Sequence, residues 1–207
     1  MTYVFIHGLG QTSSGWDKVI AHLPADIQVY RPCLSALVKD KLITYENLYK
    51  AFENECNCME MPLCLCGISL GAILVLQYTL NNPQKVKALM LIAPQYKMPG
   101  LLLDIQNIVF RILPQVAFGS MGFSKRDTIA LTTSMKKIDF TSLLNEVTCP
   151  AFVVCGQKDR ANQNAARILA NTIPNAKLSF IESAGHEVNI DAPVALADLI
   201  KGAWFYG

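Results

Sequence analysis

A serine between two glycines is the residue of this sequence best suited to covalent chemistry. Ser69 lies at the centre of the pentapeptide GISLG, at positions 67–71, directly after the apolar run at 63–66. The G-x-S-x-G spacing is typical of a sharp strand-to-helix turn on which only the serine hydroxyl projects, because side chains at the glycine positions would collide. The uncharged run at 72–80 then predicts a buried helix. Ser69 is therefore our candidate nucleophile.

Two further segments supply the groups that a serine nucleophile needs. Asp159 follows the apolar run at 151–155, and His186 lies in a loop after the apolar run at 176–181. An imidazole, with an unperturbed pKa of about 6.5, can take the serine proton and return it. A carboxylate bonded to its other ring nitrogen fixes the tautomer. Taken singly, Asp159 could be a surface carboxylate and His186 a helix-capping loop residue, but with Ser69 they predict a catalytic triad.

The start of the chain supplies a candidate site for the oxyanion of an acyl-transfer reaction. A predicted strand leads into the loop HGLG at positions 7–10. Glycines let backbone N–H groups turn toward a substrate carbonyl, and the N–H that follows the nucleophile supplies a second donor. We expect the donors to be the N–H groups of Leu9 and Leu70. We expect His7 to brace the loop through its ring nitrogens rather than to act as a base.

The chain order serine, acid, histidine resembles that of serine hydrolases with an α/β-hydrolase fold. The resemblance extends over nearly the whole chain and rests on the loop at 7–10, the pentapeptide at 67–71, Asp159 and His186. Members of this family commonly begin with an antiparallel hairpin, whereas here the strand before the first loop starts within the first residues. The resemblance therefore implies a small, esterase-like member that lacks this hairpin.

Apolar runs alternate with helical patterns along the chain, which favours an α/β fold with a mostly parallel, doubly wound sheet flanked by helices. We predict about six strands, at Thr2–Ile6, Ile27–Tyr30, Leu63–Cys66, Val86–Ala93, Ala151–Cys155 and Ala176–Ile181. Functional sites of such sheets lie at the C-terminal ends of the strands. A length of 207 residues with 52% hydrophobic residues predicts a single domain over 1–207.

The segment at about 95–144 lies where this family usually inserts a cap over its substrate pocket. Apolar residues recur at helical spacing over 101–113 and predict an amphipathic helix broken at Pro114. This helix either packs on the sheet or forms a lid, and as a lid it would place Ile108 and Ile112 against the substrate. Apolar residues extend this surface beyond the helix, at Phe118, Met121 and Phe123.

Composition excludes several other functions. The net charge of +2 includes no basic tract, which argues against nucleic-acid binding. The uncharged stretch at 61–84 is long enough to span a membrane, but Gly67, Ser69 and Gly71 interrupt it, and a buried strand and helix explain it. The chain begins in a strand without a recognisable signal peptide, which predicts a cytoplasmic protein.

Cysteine usage indicates neither disulfides nor a metal centre. The seven cysteines are an odd number, and several lie in apolar strands where a thiol behaves as a small hydrophobe. The pair Cys56 and Cys58 and the pair Cys64 and Cys66 could suggest a thiolate site, but we expect strand alternation to send the second pair to opposite faces. We therefore predict no metal and no cofactor.

These features predict a serine hydrolase that cleaves a small, uncharged or weakly polar carboxylic ester through an acyl-enzyme. Its partner would be a small-molecule substrate. Two alternatives stay open: an enzyme of the same fold that acts on thioesters, amides or carbon–carbon bonds, and a non-catalytic ligand-binding protein on the same scaffold.

Overall fold

A computed structural model describes residues 1–39, 41–98, 100–118 and 122–205. Its centre is a six-stranded sheet in which every neighbouring pair of strands is parallel. The strands are Thr2–Ile6 (β1), Val29–Tyr30 (β2), Leu63–Ile68 (β3), Val86–Ile92 (β4), Ala151–Gly156 (β5) and Lys177–Ile181 (β6). Their order across the sheet is β2-β1-β3-β4-β5-β6. The predicted parallel α/β fold is confirmed.

Helices connect the strands and cover both faces of the sheet. Within the described ranges the α-helices are Asp17–Ile20 (α1), Leu34–Leu37 (α2), Tyr45–Asn57 (α3), Leu70–Asn81 (α4), Gly100–Ile112 (α5), Lys125–Ser134 (α6), Arg160–Thr172 (α7), Val188–Asp191 (α8) and Pro193–Trp204 (α9). Buried side chains of α3, α4 and α7 pack on one face. Those of α1 and α9 pack on the other.

The innermost strands explain why the sequence contains uninterrupted apolar runs. All six residues of β3 are buried, because β1 and β4 flank it and helices cover both of its faces. Alternate residues of β3 contribute to the two cores: Leu63 and Leu65 to one, Cys64 and Cys66 to the other. The expectation that Cys64 and Cys66 lie on opposite faces is wrong, because side chains two positions apart in a strand point to the same face.

The predicted strands are correct in number but not in every boundary. The strand predicted at 27–30 is reduced to Val29–Tyr30, which forms an edge of the sheet and is only half-buried. The strand predicted at 63–66 instead continues to Ile68, at the turn that carries Ser69. An outer strand such as β2 has a neighbouring strand on one side only and is less buried. Its apolar residues therefore indicate its length poorly.

Two helices follow β4 before the chain returns to the sheet at β5. They are α5 and α6, which pack on each other, and Leu131 of α6 belongs to the core beside α3. The predicted amphipathic helix is thus present, ending at Ile112 rather than at Pro114. The predicted apolar residues Phe118 and Phe123 are buried, while Met121 lies outside the described residues. Across the described part of the chain, none of the helices combines the length and apolarity needed to cross a membrane.

Candidate active site

Ser69 lies on a tight turn between β3 and α4. Its φ angle is 54°, in the left-handed region that a non-glycine residue adopts at a cost. A side chain at Gly67 would collide with the carbonyl of Gly71, and one at Gly71 would collide with the carbonyl of Ile6 in β1. The turn therefore needs both glycines, as the sequence motif predicts. It places Ser69 at the C-terminal end of β3, an inner strand of the sheet.

Backbone hydrogen bonds hold this strained turn in place. The Ser69 N–H donates to the carbonyl of Ile92 at the end of β4, at 2.9 Å, and the Ile73 N–H donates to the Ser69 carbonyl at 3.2 Å. The main chain of Ser69 is therefore tied to the neighbouring strand and to the first turn of α4. Its side chain lines a cavity above the sheet.

Asp159 and His186 meet at the same end of the sheet although 27 positions separate them. Asp159 follows β5, and His186 lies in the loop between β6 and α8. Oδ2 of the buried Asp159 carboxylate lies 2.8 Å from Nδ1 of His186. Because a carboxylate only accepts hydrogen bonds, Nδ1 must carry the proton, which leaves Nε2 as the basic atom of the neutral ring. Gly156 permits this approach, since a side chain there would collide with the carbonyls of Ala184 and Gly185.

The pairing moves the pKa values of both groups in opposite directions. Burial favours the neutral form of Asp159, but hydrogen bonds from His186 and Asn162 outweigh it and hold the pKa of the carboxyl below its ordinary value. The hydrogen bond to Asp159 raises the pKa of His186, against the opposing effect of burial. The pair thus combines an ionised carboxylate with an imidazole whose basicity is increased.

Ser69 and His186 line one cavity, and no hydrogen bond between their side chains is present among the described residues. Bonds between a nucleophile and its base are often long in a free enzyme and shorten when substrate binds. The structure therefore places the three predicted residues at one site, with the bond between Asp159 and His186 already formed.

The two predicted oxyanion donors lie beside Ser69. Leu9 and Leu70 both line the cavity, and within the described residues neither N–H donates to another protein atom. His7 braces the first loop, as predicted. It is buried, its Nδ1 donates to the Gly8 carbonyl at 2.8 Å, and its Nε2 accepts from the Leu34 N–H at 3.1 Å. Burial lowers the pKa of His7, which favours the neutral ring that this pair of bonds requires.

The cavity has a volume of about 400 Å³ and a mostly apolar wall. Helix α5 contributes Leu103 and Phe110 to it, and the chain after α6 contributes Met135. The expectation that Ile108 and Ile112 line this cavity is wrong: their side chains are 56% and 79% exposed. Phe110 and Ile112 lie on nearly opposite sides of α5, because two positions of an α-helix are about 200° apart, and the side that carries Phe110 faces the cavity.

Polar residues that the motifs did not indicate connect the loops of the site. Nε2 of Gln11, after the first loop, donates to Glu187 at 2.9 Å and to Asn189 at 3.1 Å, beyond His186. Asn162 contacts the Asp159 carboxylate and accepts a hydrogen bond from Gln95. Single amides in loops carry no sequence signature, since their partners lie far away along the chain.

Asp191, an aspartate five positions after His186, has a different role. The sequence suggests that it caps the last helix, but α9 begins after Ala192, and the Asp191 carboxylate instead accepts the Gly185 N–H at 2.7 Å. It therefore braces the loop that carries His186 without bonding to the imidazole.

No group of three or more His, Cys, Asp or Glu side chains with the spacing of a metal site occurs in the described ranges. The seven cysteines are all free thiols.

Comparison with a known family agrees with this geometry. Residues 3–199 match the sequence model of the alpha/beta hydrolase family. The chain belongs to the alpha/beta hydrolase family. Among curated proteins it is similar to the monoacylglycerol lipase ABHD6 of Mus musculus, with 24% identity over 159 residues. That alignment covers 67% of this chain but only 47% of the mouse protein, so the chain matches about half the length of this relative.

Solved structures of other alpha/beta hydrolases share the fold at low sequence identity. MenH from S. aureus superposes with a TM-score of 0.83 and 18% identity, covering 98% of this chain and 92% of its own. A thermophilic esterase from Thermogutta terrifontis superposes with a TM-score of 0.78 and 18% identity, covering 98% and 88%. At such identities the likeness concerns the fold, so the reaction must be argued from the site.

Proposed function

We propose that this alpha/beta hydrolase is a serine hydrolase that cleaves small, uncharged or weakly polar carboxylic esters. The observation that carries the proposal is the convergence of Ser69, on its strained turn, and the bonded pair Asp159 and His186 on one cavity. The family match supports a hydrolytic reaction, and the sequence similarity to a monoacylglycerol lipase favours an ester bond.

The first half of the reaction forms an acyl-enzyme. Ser69 Oγ attacks the ester carbonyl while its proton passes to Nε2 of His186, and Asp159 stabilises the resulting imidazolium through Nδ1. The carbonyl oxygen becomes an oxyanion that accepts hydrogen bonds from the free N–H groups of Leu9 and Leu70. His186 then donates the proton to the leaving alkoxide, so that the carbon–oxygen bond breaks and the alcohol departs.

The second half of the reaction returns the enzyme to its starting state. A water molecule attacks the acyl-enzyme and gives a proton to Nε2 of His186, and the oxyanion forms again at the same two N–H groups. When the bond from the acyl carbon to Ser69 Oγ breaks, the serine recovers its proton from His186 and the carboxylic acid leaves.

The cavity supports a small and uncharged substrate. Its described lining includes no Asp, Glu, Lys or Arg side chain, and a volume of about 400 Å³ suits a short acyl or alcohol chain. Apolar side chains surround this space, among them Ile73, Met98 and Leu103. A formal charge on the substrate would be desolvated there without a partner, at a high energetic cost.

The test compares the wild-type protein with Ser69→Ala, which deletes the attacking oxygen without adding bulk at the turn. We expect the wild type to react covalently with a fluorophosphonate probe at Ser69 and to hydrolyse p-nitrophenyl esters. In Ser69→Ala, labelling should be lost and kcat should fall by several orders of magnitude, roughly 10⁴-fold or more, as for other triad deletions.

The alternatives have distinct outcomes in the same experiment. Labelling at Ser69 without turnover of any ester would favour another acyl substrate, such as a thioester or an amide. A folded wild-type protein that neither labels nor turns over esters would contradict the proposal and favour a ligand-binding role. Circular dichroism of both proteins checks that they are folded.

A further inference from the structure

Asn162, a buried residue in the first turn of α7, contacts both oxygens of the candidate acid. Its Nδ2 donates to Oδ1 of Asp159 at 2.9 Å and to Oδ2 at 2.8 Å. Its Oδ1 accepts a hydrogen bond from Nε2 of Gln95, just after β4, at 2.7 Å. The Asp159 carboxylate is therefore held from two sides, by His186 and by an amide that is itself held.

The ionised carboxylate of Asp159 fixes the donor and the acceptor of each hydrogen bond that links it to Asn162 and Gln95. An ionised carboxylate accepts only, so Asn162 must turn its amino group toward Asp159 and its carbonyl away from it. That carbonyl requires a donor, which orients the amide of Gln95 in turn. Nδ2 of Asn162 also lies 3.0 Å from Nδ1 of His186. Both atoms are donors, so this approach reflects their convergence on Oδ2 of Asp159.

A carboxylate bonded to the imidazole alone would retain rotational freedom. The terminal torsion of an aspartate side chain has a broad energy profile, and a single hydrogen bond at Oδ2 restrains it weakly. A donor that contacts both oxygens restrains the plane of the carboxylate as well as its position. The orientation of that plane decides whether a lone pair points at Nδ1 of His186.

We propose that Asn162 is a positioning residue that holds the Asp159 carboxylate in the plane facing Nδ1 of His186, with Gln95 holding Asn162 in turn. The inference rests on the proposed function, since it concerns the acid of that reaction. Asn162 acts through Asp159 and takes no part in the transfer of protons.

Two substitutions of similar size separate this role from simple packing. Asn162→Leu fills the same space but removes the donors. We expect kcat to fall on the order of 10- to 100-fold with KM nearly unchanged, by analogy with residues that orient the side chains bound to a catalytic metal. Asn162→Asp replaces the donors by a second carboxylate. Its charge favours the imidazolium, so the acid limb of the pH–kcat/KM profile should move to higher pH by about one unit.

Two other amide residues near Asn162 provide the control variants. Asn164→Asp introduces the same charge at an exposed position of α7 and should leave the pH profile unchanged. Gln95→Met removes the bond to Asn162 but leaves the bonds from Asn162 to Asp159. It should lower kcat in the same direction as Asn162→Leu but by less. Wild-type kcat in Gln95→Met would remove Gln95 from the proposal.

NMR titration of His186 makes the test independent of turnover. The chain has three histidines, so the ring signals can be assigned by substitution. The His186 titration should move to higher pH in Asn162→Asp and stay in place in Asn164→Asp. Wild-type kcat in Asn162→Leu, or an unchanged His186 titration in Asn162→Asp, would overturn the inference. An inactive wild type whose His186 titration still responds would instead contradict the proposed function alone.

Discussion

At the scale of single residues, two carboxylates near His186 differ in what they contact. Asp159 is buried and bonded to Nδ1 of the imidazole, whereas Asp191 accepts a backbone N–H from Gly185. Only the first can fix the tautomer of His186 and stabilise its charged form. Sequence proximity to the histidine is therefore a poor guide to the acid.

A matched pair of substitutions tests this assignment. Asp159→Asn should lower kcat by roughly 10⁴-fold, because an amide can bond to the wrong tautomer of His186. Asp191→Asn should retain most of the activity, since its amide oxygen still accepts the Gly185 N–H. Steady-state kinetics on a p-nitrophenyl ester measure kcat of both variants. A larger loss of kcat in Asp191→Asn than in Asp159→Asn would identify Asp191 as the acid.

At the scale of elements, the turn that carries Ser69 depends on the close approach of β1 to the start of α4. Gly71 is the contact point, because any side chain there would meet the Ile6 carbonyl. Backbone atoms on both sides leave little room for adjustment. The second glycine of the motif thus joins two elements as well as permitting the turn.

Gly71→Ala should therefore lower the free energy of unfolding by about 1–3 kcal/mol, the range typical of overpacked cores. Gly202→Ala is the matched control, since Gly202 lies inside α9 with open space around it. An alanine there should raise the free energy of unfolding by roughly 0.5–1 kcal/mol, as expected for a glycine removed from a helix interior. Urea denaturation measures both changes, and equal effects would contradict the role of Gly71.

Helix α5 presents different residues to the cavity and to solvent. Phe110 lines the cavity and packs edge-on against Phe118, with ring centroids 5.7 Å apart. Ile112, two positions further along, is 79% exposed. The helix thus has the means to shape the substrate pocket, but through one side only.

Phe110→Ala should shift the preference between short and long p-nitrophenyl esters toward longer acyl chains, because removing the ring enlarges the cavity. Ile112→Ala should change neither this preference nor the melting temperature. The ratio of kcat/KM values across the ester series is the measurement, which is insensitive to the amount of folded protein. An unchanged ratio in Phe110→Ala would remove α5 from the substrate pocket.

At the scale of the whole molecule, burial controls the reactivity of the thiols. Five of the seven cysteines are buried, Cys33 is half-buried and Cys58 is exposed. Burial raises the pKa of the Cys64 thiol to about 11 and that of Cys155 to about 12, which suppresses their reactive thiolate forms.

Titration with a thiol reagent at neutral pH should therefore modify Cys58 quickly, Cys33 slowly and the remaining thiols only after denaturation in urea. The expected total in urea is seven. Adding a reducing agent beforehand should leave both this total and the melting temperature unchanged. A lower total without reductant would show that disulfides form.

The sequence alone determines the features that rest on local sterics and on periodicity. The glycines at 67 and 71 predict the turn, since only residues without side chains fit there. The apolar runs predict strands buried on both faces and hence a parallel sheet. The order of Ser69, Asp159 and His186 along the chain indicates a site at one end of that sheet, where the structure places them.

The packing of the elements determines which distant side chains meet. Gln95 and Asn162 bond across 67 positions of sequence, and Gln11 bonds to Asn189 across 178. Neither pair has a motif, because a hydrogen bond between distant residues depends on how the elements pack rather than on local pattern. The same reason explains why Phe110 rather than Ile112 lines the cavity: the two residues lie on nearly opposite sides of α5, and the packing of α5 against α6 determines which side faces the cavity.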